Sequence, residues 1–210
     1  MQQRQNGSDL RAIAVPVALA VTGIVFGALT SAINHGFGPG QEYVSKVLGS
    51  AWCWLLAAYA ACLTGRNFRM SVRRGLAFLI PAILAYEIGD LVGGSYDTAL
   101  PGLPRQFDLL NFTIWTAYYI ILSLITAVVL STILVATRSG GLVGFFGTIV
   151  VPGLVAYLAL DTYRGLIVQP GFDPIGQVVN LTAGTVAAVV TGAVGLIALI
   201  RSLTRRAGIN

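Results

Sequence analysis

Charged residues are scarce in this chain. They fill 10% of its 210 positions, where a soluble domain carries about a quarter. Histidine occurs once, at His35, which excludes a His-built metal site and a Ser–His–Asp triad. Loop hydrogen bonding is the role expected of that residue. The one lysine is Lys46, so no phosphate-binding loop ending in Gly-Lys is present. Cysteine occurs twice, and Cys53 and Cys62 fall in a single apolar run. That position excludes a disulfide framework and fits small buried thiols. Acidic residues are too dispersed to hold Mg²⁺ on a diphosphate, since Asp90 and Asp97 stand apart from one another. No internal repeat is visible, which argues against an inverted-repeat transporter.

Apolar residues are abundant. They fill 56% of the positions, and mean hydropathy is +0.80. Crossing the hydrocarbon core of a bilayer takes about 20 apolar residues in a helix. Six stretches meet or approach that length: 12–34, 48–64, 75–93, 112–136, 142–162 and 178–200. The expected fold class is therefore all-α, with residues 1–210 forming a single transmembrane domain of six helices. The first stretch is too long for the apolar core of a secretory signal, so it is read as a retained span. Polar connectors are expected at His35–Val47, Gly65–Arg74, Gly94–Asn111, Thr137–Gly141 and Tyr163–Gln177.

The basic residues orient these spans. Arg4, Arg11, Arg66, Arg69, Arg73, Arg74, Arg138, Arg201, Arg205 and Arg206 lie in the tails and alternate loops of one side. Lys46, Arg105 and Arg164 lie on the other. Positive charge collects on the cytoplasmic face, so both termini are expected in the cytoplasm, in a multi-pass protein of the cell membrane. The net charge of +5 is thus spread among topology signals, and no nucleic-acid-binding patch forms. The lipid bilayer is the expected partner, and the sequence leaves the oligomeric state open. Gly23-x-x-x-Gly27, Gly89-x-x-x-Gly93 and Gly140-x-x-x-Gly144 are candidate seams where helix backbones approach closely.

Ionisable side chains inside a membrane are costly and mark function by default. Glu87 and Asp90 lie in the third span, three residues apart and so on neighbouring positions of one helix face. Glu87 is roughly 20 Å along that helix from Arg73 and Arg74, and Asp161 sits at a comparable outward level. For Asp90 and Asp161, a place at the membrane–water boundary is an equal expectation. Trp52, Trp54, Tyr86, Trp115, Tyr118, Tyr119, Tyr157 and Tyr163 fall in the outward halves of their spans. Asn111, Trp115, Tyr118 and Leu122 share one face of the fourth helix. Part of this set forms an interfacial aromatic belt; a glutamate beside it points to a pocket as well. An apolar, aromatic-lined pocket accepts a carboxyl in its neutral form. Such an acid either protonates a hydrophobic substrate beside cation-stabilising rings or binds and relays a proton or cation in transport.

The stretches Trp52-Cys-Trp54-Leu-Leu-Ala-Ala-Tyr59, Gly65-Arg66 and Ala85-Tyr86-Glu87-Ile88 resemble the small integral-membrane terpene cyclases of fungal meroterpenoid and bacterial indole-terpenoid pathways. The likeness covers about 40 residues. It aligns Glu87 with that family's proton-donating glutamate, and Asp161, followed by Thr162-Tyr163, with its later aspartate. Tyr86 stands where that family has Trp, and Ile83 where it has Asn. The resemblance implies an isomerase of secondary metabolism that cyclises a prenylated hydrophobic substrate by protonation, with no metal or cofactor. Glu87 would be the acid, supported by Asp161 and Asp90. Trp54, Tyr59, Tyr86, Asn111, Trp115, Tyr118, Tyr119 and Tyr157 would contact the substrate. Gly27-Ala-Leu-Thr-Ser31 and Pro39-Gly40 also resemble an uncharacterised six-span family common in actinobacteria. Two readings of other classes stay open: a substrate-capture subunit like those of vitamin transporters, and a structural or immunity-type membrane protein.

Overall fold

The computed structural model describes residues 2–36, 38–98, 106–139, 141–168, 171 and 173–206, with described side chains lying between Ile13 and Ile200. These residues form seven helices: α1 (Gln2–Asn34), α2 (Pro39–Leu48), α3 (Ala51–Leu63), α4 (Phe68–Val92), α5 (Leu109–Thr137), α6 (Gly141–Val168) and α7 (Pro174–Arg206). A two-residue antiparallel pair, β1 (Asp97–Thr98) with β2 (Gln106–Phe107), closes the connection from α4 to α5. Gly140, Arg105, and the side chains of Arg4, Arg11, Arg201, Arg205 and Arg206 lie outside the described residues.

Five helices are long and apolar enough to cross a membrane: α1, α4, α5, α6 and α7. The expected second span is divided. α2 and α3 pass the same test only as a pair, bent by 59° at their junction. The stretch expected as the polar connector His35–Val47 thus contains a helix. Its polar residues are those of a short amphipathic element with Glu42 in the first turn and Lys46 in the last, an arrangement that suits the helix dipole.

Capping explains why other boundaries lie outside the apolar runs. The Asn67 side chain accepts from Met70 N at 2.9 Å and starts α4 at Phe68. Arg69, Arg73 and Arg74 are therefore in the first turns of that helix, and the connector before it is shorter than expected. Asp108 caps α5 by accepting from Asn111 N. Asp173 accepts from Gly176 N at 2.8 Å, with Pro174 following it at the start of α7. Each cap satisfies a backbone N–H that the helix itself leaves unbonded. Hydropathy does not register these bonds.

The core gathers around α3. Ala58, Ala61 and Cys62 pack with Phe78 and Leu79 of α4, with Ala127, Leu130 and Leu134 of α5, and with Val151 of α6. α1 lies along α4 through small residues. A Cβ on Gly23 would stand 2.2 Å from the Phe78 carbonyl oxygen, and one on Gly27 would stand 1.8 Å from that of Ala82. Further along, Ser31 meets Gly89 and His35 meets Gly93. Residue numbers rise together along this seam, so α1 and α4 run parallel. Large apolar side chains stay exposed along the outer faces, Ile13, Val21, Ile121, Val186 and Val189 among them. So continuous an apolar exterior is suited to a lipid solvent.

Candidate functional site

Near the junction of α2 and α3 lies a cavity of about 400 Å³. Gly49 and Ala51 border it at the junction. Trp54 and Leu55 come from α3, Leu79, Ile83, Tyr86 and Glu87 from α4, Tyr119, Leu122, Ser123 and Thr126 from α5, and Leu158 from α6. The helices converge here because the chain turns at Gly49–Ser50, and Trp54 holds that turn. Its indole N–H donates to the Leu48 carbonyl at 2.8 Å, satisfying an acceptor at the end of α2. Edge-to-face contacts to Phe26 and Tyr86, with centroids 4.9 and 5.9 Å away, fix the ring.

Glu87 is 1% exposed. The Tyr96 hydroxyl donates to its Oε2, while Oε1 has no partner. Tyr96 follows the turn at Gly94, whose positive φ of 80° returns the chain toward the helix end. Burial, and then the bond to Glu87, pushes the Tyr96 phenol above the usual tyrosine range, so it remains a donor. The ring is itself held edge-on against Phe112, at 5.3 Å.

Asp90 serves another neighbour. Its Oδ1 accepts from Ser31 Oγ at 2.5 Å and lies 3.1 Å from His35 Nε2. Tyr86, in the cavity wall, stands one turn before Asp90 on the same face of α4. One face of α4 thus divides: Glu87 belongs to the cavity, and Asp90 to the seam with α1.

Of the residues singled out in the sequence, Glu87, Trp54, Tyr86 and Tyr119 line the cavity. The other residues expected as acids or substrate contacts do not border it. Tyr59 packs against the core around α3. Trp115 and Tyr118 are 44% and 52% exposed, and reach the cavity only by their ring contacts to Tyr119. Tyr157 is 61% exposed, and Asn111 and Asp161 are exposed on α5 and α6. Leu158 lines the wall on α6, and Asp161, nearly one turn further along, has passed beyond it. Tyr96, Ser123 and Thr126 had no signal of their own in the sequence. Tyr96 reaches Glu87 through a turn, where side-chain periodicity does not operate. Among the described residues, no group of His, Cys, Asp and Glu could hold a metal ion.

The chain matches no family model, no curated protein and no solved structure.

Proposed function

We propose that this protein is an integral-membrane terpene cyclase that protonates a prenylated, lipid-soluble substrate in the cavity beside Glu87. One observation carries the reading: a buried carboxyl with one bonded and one free oxygen stands in a largely apolar, aromatic wall. With Oε2 accepting from Tyr96, the acid proton resides on Oε1. Protonation of an alkene or epoxide then generates a cation among Trp54, Tyr86 and Tyr119, whose ring faces stabilise positive charge. Ring closure and loss of a proton complete an isomerisation that consumes no co-reactant.

The membrane arrangement that goes with this reading has six spans, α2 and α3 together making the second, and both termini in the cytoplasm. The parallel course of α1 and α4 supports it, because the chain must return across the bundle between them and only α2–α3 is available. The distribution of arginines supports the orientation.

The test is conversion of prenylated aromatic or indole precursors by membranes carrying the full chain, with the lipid extract searched for cyclised isomers. Wild type yields an isomer, and Glu87→Gln, present at equal level, yields none. Full activity in Glu87→Gln would sink the mechanism. Tight binding of a water-soluble vitamin with no isomer formed would move the cavity to the capture-subunit class.

A further inference from the structure

Ring closure by protonation takes up one proton at the start and releases a different one at the end. Glu87 fills the first role and is then a carboxylate, buried against Tyr96. On the same wall, Tyr86 brings a hydroxyl to the cavity, and behind it stand a carboxylate and an imidazole. Tyr86 and Asp90 are four residues apart and so neighbours on one face of α4; Asp90 Oδ1 lies 3.1 Å from His35 Nε2; and the His35 side chain is 34% exposed. His35 is thus the more open end of the pair, since the Asp90 side chain is only 14% exposed.

The surroundings of this chain are specific. Ser31 Oγ donates to the same Asp90 oxygen at 2.5 Å and so fixes the orientation of the carboxyl group. Asn34, at the end of α1, is held by Ser45 of α2, whose hydroxyl donates to Asn34 Oδ1 at 2.6 Å. Gly93 has no side chain where the His35 ring sits: a Cβ there would fall 2.5 Å from Nε2. Ser95 Oγ is 3.4 Å from the same nitrogen. Interfacial charge requires none of this orientation.

We propose that Tyr86, Asp90 and His35 form the exit for the proton lost when the cyclised cation becomes product. This role rests on the cyclase reading of the cavity. The C–H bond next to the cationic carbon breaks, and its electron pair forms the product alkene. The proton passes to the Tyr86 oxygen as the phenolic proton moves to Asp90. Asp90 then protonates His35 at Nε2, and the imidazolium releases a proton to the outer medium. Glu87 regains one proton from the medium after product leaves, so the cycle is neutral in protons and electrons. Tyr86 is the group that meets the substrate; Asp90 and His35 act through it.

The experiment uses the same membranes and precursors, with rates measured for wild type, Tyr86→Phe, Asp90→Asn and His35→Ala. Asp90→Asn and His35→Ala should each lower kcat at least about tenfold and leave KM within about twofold. Tyr86→Phe should redirect product toward other alkene isomers or a water-quenched alcohol. Added imidazole should restore His35→Ala, since that position is open to the medium, and should leave Asp90→Asn slow. Should Asp90→Asn fail to accumulate, His35→Ala and its response to imidazole decide. Full rate and unchanged product in Asp90→Asn and His35→Ala, with Glu87→Gln inactive, would overturn the exit route and leave the cyclase reading standing. A slow His35→Ala with raised KM and no response to imidazole would reduce His35 to a structural contact and overturn the route as well. Absence of any isomer from wild type would remove the cyclase reading, and this role with it.

Discussion

Glu87 and Asp90 sit three residues apart on one helix, yet they face different company. Glu87 turns to the cavity and to Tyr96, while Asp90 turns to Ser31 and His35. The sequence shows both acids and their depth, because a carboxyl in an apolar run stands out whatever surrounds it. It does not show their partners, which come from a turn and from another helix. Tyr96→Phe tests the first partnership. The substitution keeps the ring against Phe112 and leaves Glu87 Oε2 without its donor, which costs about 1–3 kcal/mol for a buried group. A lowered melting temperature in detergent and slower cyclisation are the expected results. Unchanged values of both would show that the phenol contributes nothing to the acid.

Among the helices, the seam between α1 and α4 depends on Gly27. A methyl group there would lie 1.8 Å from the Ala82 carbonyl oxygen, and a main-chain atom inside a helix cannot turn aside. Gly27→Ala should therefore force the helices apart at a cost of about 1–3 kcal/mol, read as reduced membrane accumulation and a lower melting temperature. Retention of wild-type stability would mean that α1 shifts without penalty. The Gly23-x-x-x-Gly27 spacing made this seam legible in advance, since small residues four apart expose a groove on a helix whatever its partner. The division between α2 and α3 was not legible. Hydropathy averaged over Leu48–Thr64 contains no mark of a 59° bend, which arises where Trp54 bonds the Leu48 carbonyl.

α2 is also tied to the start of α7. Lys46 Nζ donates to Asp173 Oδ2 at 2.6 Å, and this bond, opposed in part by burial, holds the Asp173 carboxyl below the usual aspartate range. A depressed value in the folded state contributes stability above the ordinary aspartate range, near 3.9. That contribution is lost as pH falls through the folded value. Asp173→Asn can keep the cap on Gly176 while removing the charge. It should melt below wild type at neutral pH by an amount corresponding to less than about 1 kcal/mol, as befits a partly exposed pair. The gap should close as the medium is acidified below the folded value. A constant gap across the whole range would exclude the ion pair as its source.

For the molecule as a whole, the apolar runs were enough to read an all-helical chain with membrane-length segments, because that inference needs only local composition. The cavity was not readable in the same way, as its wall is assembled from four helices and a junction. Orientation is testable directly. Single cysteines placed at Arg69 and Tyr43, in a variant lacking Cys53 and Cys62, should be labelled by an impermeant reagent from opposite faces of sealed vesicles. Tyr43 should react from outside, and Arg69 only after the membrane is opened. Labelling of both from one face would exclude the paired span of α2 and α3.

Tyr96 belongs to the turn after α4, so the partner of the buried acid is supplied by a surface segment and not by the bundle. Scaffold and reactivity are thereby inherited separately. Replacement of that segment would exchange the group that steadies Glu87 while every helix-to-helix contact stays as it is. A cyclase of the kind proposed, built this way, can acquire new substrates through its connecting segments before its packing changes at all.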